Sequence, residues 1–334
     1  MSNYTLTVTL LFILITQPIK LLANNNLLTL PTYYLEIDST NLNNLYENPN
    51  SGIYYSSSIS IDNITYDCEV RFRGSTGQPK KSWQIKFDDD NNIFSAEKIN
   101  LNSEFEDSSM MRNYLAMKLF SYFEYPASNV NYINLLLNNE YKGVFLRIEQ
   151  IDEYFLQRNS LIPYNLYKAE NHGANMAPLT HYNQYQITWT KKIGDPLDFT
   201  DIQMFFSKIY YWTNDDFEIN ITNEINIENI INYFAIEFSI SSHDCFTKNL
   251  YLYHNPSIEK FEIFPWDNDA TFGNDWTGAY NPSYEQWYPE TENTPGHSEY
   301  VHTIKQQILF QRLMEYETWN NSFWNKVSEI IQNG

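Results

Sequence analysis

Residues 244–269 read DCFTKNLYLYHNPSIEKFEIFPWDND, and the fold turns on how this stretch doubles back. Two apolar runs, 249–254 and 261–265, flank the polar link Asn255-Pro256-Ser257-Ile258-Glu259-Lys260, which is the pattern of a β-hairpin. Asn249 lies five positions after Asp244, and Asp267 lies 23 after it, on the far side of the hairpin. Pairing with residue numbers that sum to 516 would set Asn249 opposite Asp267, within reach of one hard cation; a sum of 515 would put them on opposite faces. Pro265 cannot donate to a ladder, so the strand is expected to end or bulge there and let Trp266-Asp267-Asn268-Asp269 project. Oxygen-bearing side chains at a hairpin base suit Mg²⁺ or Mn²⁺, which complete their shells with phosphate and water.

Upstream, residues 53–87 alternate with period two. Ile64, Tyr66, Cys68, Val70 and Phe72 share one face, followed by Trp83, Ile85 and Phe87 after the link Arg73-Gly74-Ser75-Thr76-Gly77-Gln78-Pro79. This predicts a hairpin with a turn-rich loop. Asp107-Ser108-Ser109 offers an N-cap for a helix with Met111, Leu115, Leu119 and Tyr122 or Phe123 at helical spacing, ending near Tyr125-Pro126. A second hairpin is expected over 130–137 and 144–148, turning over 138–143. After residue 150 the pattern becomes helix-like over 152–158, 201–212 and 227–241, and again over the last forty residues to Gly334, where it stops as in a fragment or short form. A boundary near residue 150 follows.

The chain has 334 residues, room for roughly two domains at about 150 residues each. With 21 basic against 41 acidic residues, the net charge of −20 disfavours nucleic acid and anionic membrane surfaces as partners. The apolar run Leu6 to Ile15 is too short to span a bilayer and reads as the core of a signal peptide over 1–23, giving a secreted or cell-surface protein with no membrane span. Sequons at Asn63, Asn220 and Asn320 fit a glycoprotein. Cys68 and Cys245 permit at most one disulfide, and the alternation around Cys68 predicts a buried free thiol. The histidines have no zinc-ligand spacing, His243 is expected to pack, and no Gly-x-Ser-x-Gly elbow is present, which sets aside zinc and serine-hydrolase chemistry.

Arg71, Arg73, Lys80, Lys81 and Lys86 place 5 of the 21 basic residues within 16 positions. On so acidic a protein, an anionic ligand needs a local patch of this kind. The order Asp-x₄-Asn, hairpin, Asp is also the order in which protein kinases place an acceptor-orienting Asp and two metal-holding residues.

Arg71-Phe72-Arg73-Gly74-Ser75-Thr76, residues 80–87 (KKSWQIKF), Met110-Met111-Arg112-Asn113, residues 141–152 (YKGVFLRIEQID) and residues 264–273 (FPWDNDATFG) resemble the spore-coat CotH family of atypical protein kinases. The resemblance runs from about residue 30 to 330. It implies an α+β, two-lobed protein-kinase-like fold, with a β-rich, nucleotide-covering N-lobe of one helix over 24–150 and a mainly helical C-lobe over 151–334 carrying the metal and catalytic hairpin. It further implies ATP with Mg²⁺ or Mn²⁺, and phosphorylation of Ser or Thr on secreted or coat proteins. Carried over by position, Asp244 orients the acceptor hydroxyl, Asn249 and Asp267 hold metal, and Asp269 is an auxiliary ligand. Arg73, Lys81, Lys86 and Glu149 are the candidate nucleotide contacts, Lys81 and Lys86 competing to anchor phosphate, with Arg112 either the partner of Glu149 or a structural anchor. Two rivals stand beside this reading. One is a kinase-like surface adhesin or coat-structural protein without turnover, meeting a host or cell-surface receptor through the aromatic loop 273–282. The other is a carbohydrate-active enzyme, which needs two carboxylates about 5 to 10 Å apart and gives Asn249 no role.

Overall fold

The computed structural model describes residues 30–74, 76–87, 96–274 and 306–333. The expected signal peptide and residues 275–282 of the aromatic loop lie outside the described residues. The first part of the chain comprises β1 (Thr32–Ile37), α1 (Ser39–Glu47), β2 (Tyr55–Ile61), β3 (Ile64–Arg73), β4 (Ser82–Phe87), β5 (Lys98–Asn102), α2 (Arg112–Tyr122), β6 (Val130–Leu137) and β7 (Glu140–Glu149). Its strands close into a barrel in the order β1-β2-β3-β4-β5-β7-β6. Short turns set the antiparallel neighbours. Asp62 and Asn63, and again Asn138 and Asn139, take left-handed backbone, as a two-residue hairpin turn requires. The expected single hairpin over 53–87 is therefore three strands, and β7 begins at Glu140 instead of after a six-residue turn. Gly143, at φ +102, sits where the β6–β7 register shifts.

The barrel is closed by a parallel pairing of β1 with β6, Tyr34 opposite Leu136 and Leu35 opposite Leu137. Beyond the last rung the Asn138 side chain replaces a strand, accepting from the Ile37 N–H at 2.9 Å and donating to the Ile37 carbonyl at 3.0 Å. Inward residues fill the interior: Leu35, Ile59, Val70, Phe72, Trp83, Ile85, Leu101, Leu135 and Phe145 are all buried in one cluster. Cys68 belongs to it, and both cysteines are buried and outside any disulfide.

The rest of the chain supplies α3 (Glu153–Arg158), β8 (Leu166–Ala169), α4 (Tyr182–Thr188), β9 (Trp189–Ile193), α5 (Thr200–Tyr211), α6 (Asn214–Glu224), α7 (Ile227–Ser239), β10 (Leu250–Asn255), β11 (Lys260–Pro265), α8 (Ile308–Met314) and α9 (Glu317–Asn333). β11, β10, β8 and β9 form a second, antiparallel sheet in that order. This architecture corrects the expected two-lobed kinase-like fold with a mainly helical second lobe: a closed seven-stranded barrel is followed by helices packed around a sheet of their own. The reason is pairing that the local pattern does not carry. Alternation marks a strand but not its distant partner, and β8 and β9 are too short and too polar at Lys168, Lys191 and Lys192 to read as strands.

Helix α2 also differs from expectation. Met111, Leu115 and Tyr122 of the apolar stripe are exposed, while Asn113, Ala116, Met117 and Phe120 are buried. Met117 and Phe120 enter the second core together with Leu146 and Ile148 from the outer face of the barrel. The helix begins at Arg112 rather than at the expected cap. The Asp107 carboxylate still serves its end, accepting from the Arg112 backbone N–H at 2.9 Å and pairing with the Arg112 guanidinium. Among the described residues no helix is long and apolar enough to cross a membrane.

Candidate functional site

The β10–β11 ladder pairs Leu250 with Pro265 and Tyr251 with Phe264, a sum of 515. A regular continuation would hold Asn249 and Asp267 on opposite faces. They meet because the ladder does not continue regularly. Asn249 (φ +53) and Asp267 (φ +58) are both left-handed, a conformation that costs a non-glycine residue on the order of 1 kcal/mol and persists only where the surroundings enforce it. The Trp266 N–H donates to the Asn249 carbonyl at 3.2 Å, and the Asn249 amide donates to Asp244 Oδ2 at 3.0 Å and to the Asp267 carbonyl at 3.4 Å.

Two backbone bonds, His243 N–H to the Ala270 carbonyl (2.8 Å) and Phe272 N–H to the Ile240 carbonyl (2.7 Å), tie the segment before Asp244 to the segment after Asp267. The loop between is fixed from both sides. Asn268 donates its amide to both oxygens of Glu237 on α7 at 2.8 Å, and its backbone N–H donates to Asn113 Oδ1 on α2 at 3.3 Å. Thr271 Oγ1 donates to the Asn268 carbonyl, and Arg112 Nε donates to the Thr271 carbonyl. Arg112 thus anchors this loop rather than pairing with Glu149.

The site is rich in negative charge. Burial raises the Asp269 carboxyl well above its usual range, reinforced by the charges of Asp267, Glu104 and Asp244. Burial and then Asp267 raise Glu104 to about 7. Two cations oppose them. Lys248 lies 3.2 Å from Asp244 Oδ2; burial works against its ammonium, but the Asp244 charge and hydrogen bond hold its pKa above the usual value. Arg73 lies over the Trp266 ring with its guanidinium carbon 5.5 Å from the centroid; burial pulls its pKa down and the Asp267 charge pushes back.

Asp244, Asn249, Asp267, Asp269 and Arg73 are therefore brought together. Lys81, Lys86 and Glu149 are not among them. Lys81 donates to the Thr76 carbonyl in its own loop, and Lys86 lies 3.9 Å from Glu97. Glu149 accepts from Arg158 at 2.9 and 2.6 Å and from the Asn129 N–H at 2.8 Å. Sequence reading missed Glu104, Lys248 and a polar network on the outer face of the barrel. There Arg71 donates to Gln84 Oε1, the Gln84 and Asn100 amides both donate to Gln150 Oε1, and the Gln150 amide donates to Tyr251 Oη on the second sheet. Nearby, Glu170 pairs with Lys168 and Lys192, and Arg71 adds to the positive field that lowers the Lys192 pKa after burial. Lys248 had a readable signal, its position four residues after Asp244.

Among the described residues no three His, Cys, Asp or Glu side chains already converge as a metal cage. The donors instead form an open set of carboxylates and one amide. Mg²⁺ is commonly held in this way, by one or two carboxylates with phosphate oxygens and water filling the remainder. Two buried acceptors here, Glu104 Oε2 and Asn268 Oδ1, have no hydrogen-bond partner. The residues present fit such an ion.

Glu237 gives a pH prediction. Burial raises it from 4.5 to about 7. Its folded value lies above its unfolded one, so the stability it contributes is complete below pH about 4.5 and is lost as the pH rises through about 7. Glu237→Gln should remove a loss on the order of 3 kcal/mol across that window. Urea midpoints measured from pH 4 to 8 check it, the variant gaining on wild type as the pH rises.

Inner spore coat protein H of Bacillus subtilis (strain 168) is 27% identical to the chain over 224 residues, 65% of this chain and 62% of that protein, so the chain spans less than two thirds of the relative's length. The family model described as CotH kinase protein matches residues 70–334, which include every residue gathered at the site, and the chain belongs to that family.

Proposed function

We propose that the protein transfers the γ-phosphate of ATP to a Ser or Thr hydroxyl of a coat or other secreted protein, and that it works in a spore-coat or cell-surface setting. The reading is carried by the Asn249 amide bridging the Asp244 carboxylate and the Asp267 backbone at the hairpin base. Its family and its coat-protein relative agree with it. Asn249 and Asp267, with Asp269 beside them, are the groups that would hold Mg²⁺ or Mn²⁺, which when bound neutralises charge on the phosphates. Asp244 would orient the attacking hydroxyl and take its proton, with Lys248 paired to its Oδ2. Arg73 would meet phosphate from the barrel side, and residues 24–150 and 151–334 would act as the covering and the catalytic parts. The Gln84, Asn100, Gln150 and Tyr251 network, which joins the barrel to the second sheet, would offer donors and acceptors for the rest of the nucleotide.

A second reading, a coat or surface component without turnover, is favoured by the absence of a ready-made metal cage among the described residues. One experiment separates the two. Purified protein is incubated with γ-labelled ATP and either Mg²⁺ or Mn²⁺, beside Asp267→Ala. Label on wild type that falls at least about 100-fold in the variant is the expected result. Equal labelling of both proteins overturns the site assignment, and labelling of neither overturns phosphoryl transfer in favour of the structural role.

A further inference from the structure

Glu104 is out of keeping with its surroundings. It lies just after β5, 6% exposed, with left-handed backbone at φ +48. Its Oε1 accepts from the Asn113 amide at 3.3 Å and the Asn102 side chain also favours its charged form, while its Oε2 is buried with no partner at hydrogen-bond geometry. Removing an acidic oxygen from water without a replacement partner is costly, and the usual remedy is a nearby cation. The Glu104 charge acts on two cations, Arg73 and Lys80, but their hydrogen bonds go elsewhere. Arg73 donates to Asn102 and covers Trp266, and Lys80 donates to the Ser103 and Val144 carbonyls at 2.9 and 2.5 Å.

Asn113 shows where Glu104 belongs. Its side chain donates to Glu104 and accepts the Asn268 N–H at 3.3 Å, so a single amide links Glu104 to the residue following Asp267. The charges of Asp267 and Asp269 act on the same space. We infer that Glu104 is the barrel's own ligand for the divalent cation, its free Oε2 completing from the far side a site that Asn249, Asp267 and Asp269 supply from the hairpin. This deepens the phosphoryl-transfer reading and rests on it for the nature of the ion. The carboxylates do not converge unaided, so the ion would enter with polyphosphate, and Glu104 would hold barrel and hairpin loop together across it.

The test measures Mn²⁺ uptake by electron paramagnetic resonance in the presence of a non-hydrolysable ATP analogue, for the full chain and for Glu104→Gln, with thermal midpoints recorded for both without metal. Glu104→Gln should bind Mn²⁺ at least tenfold more weakly while its metal-free midpoint stays equal or rises, because a buried charge has been removed. Mn²⁺ affinity equal to wild type overturns the inference and leaves phosphoryl transfer standing. Tight, Glu104-dependent Mn²⁺ uptake in a protein that transfers no phosphate overturns transfer and leaves the ion site standing. Should Glu104→Gln not fold, Glu104→Asp keeps the charge with a shorter reach; it is expected to weaken Mn²⁺ binding, and wild-type affinity there overturns the inference equally.

Discussion

Asp244→Ala should lower ATP-dependent labelling by about 10³-fold or more without unfolding the protein. A positioned general base contributes about 10²- to 10⁴-fold, and Asp244 carries more than its own oxygen. Its Oδ2 receives both the Lys248 ammonium at 3.2 Å and the Asn249 amide at 3.0 Å. Alanine therefore also releases Asn249 from the orientation in which it faces Asp267. Lys248 is exposed enough to be rehydrated, so the loss of stability should be modest. An exposed acid on the barrel, such as Asp67, provides the control, and Asp67→Ala should label as wild type does. Initial rates at saturating Mn²⁺ and ATP measure the effect, and a loss under tenfold would remove Asp244 from the chemistry.

The second large effect is structural. β11 is an edge strand of the second sheet, and its free side is covered by α7 instead of by another strand. Asn229 makes the cover polar as well as apolar. Its Oδ1 accepts the Ile263 N–H at 2.8 Å and its amide donates to the Ile263 carbonyl at 3.3 Å, all of it buried. Asn229→Ala strands a buried donor and weakens the support of a buried acceptor, each costing about 1–3 kcal/mol, so a loss of about 3 kcal/mol is expected. Asn229→Asp keeps the acceptor and loses the donor while adding a buried charge near Glu262, and should be at least as damaging. Denaturant midpoints at neutral pH decide between them. A loss below about 1 kcal/mol in the alanine variant would mean that water reaches the strand edge.

The site could be read from sequence where chemistry and local geometry coincide. Asp244, Asn249 and Asp267 flank a hairpin whose two arms and turn are consecutive, so their convergence needed one fold-back and no distant partner. The register was less accessible: the observed sum of 515 would separate the faces, and what restores contact is left-handed backbone at Asn249 and Asp267, which no alternation encodes. Glu104 was hidden because it is one of three acids in the loop Ser103-Glu104-Phe105-Glu106-Asp107, and only the packing of α2 makes it different from Glu106. Lys86 and Glu149 lie apart from the gathered residues for the converse reason. Their types and positions suit phosphate and nucleotide, yet each has an ion-pair partner close by in the fold, Glu97 and Arg158. The helix α2 stripe failed because the helix turns the face of Asn113, Ala116, Met117 and Phe120 inward, leaving Met111 and Leu115 outside.

The strand that shuts the barrel also determines how the gene can be cut. The family match starts at residue 70, inside β3, whereas Thr32–Ile37 and Tyr55–Ile61 lie ahead of it and join β6 to β3. Expressing only the matched region would split the cylinder lengthwise, baring two ribbons of unsatisfied peptide groups and the oily lining between them, a recipe for inclusion bodies. A usable recombinant piece has to start upstream of Thr32, even though most of the chemistry is encoded far downstream.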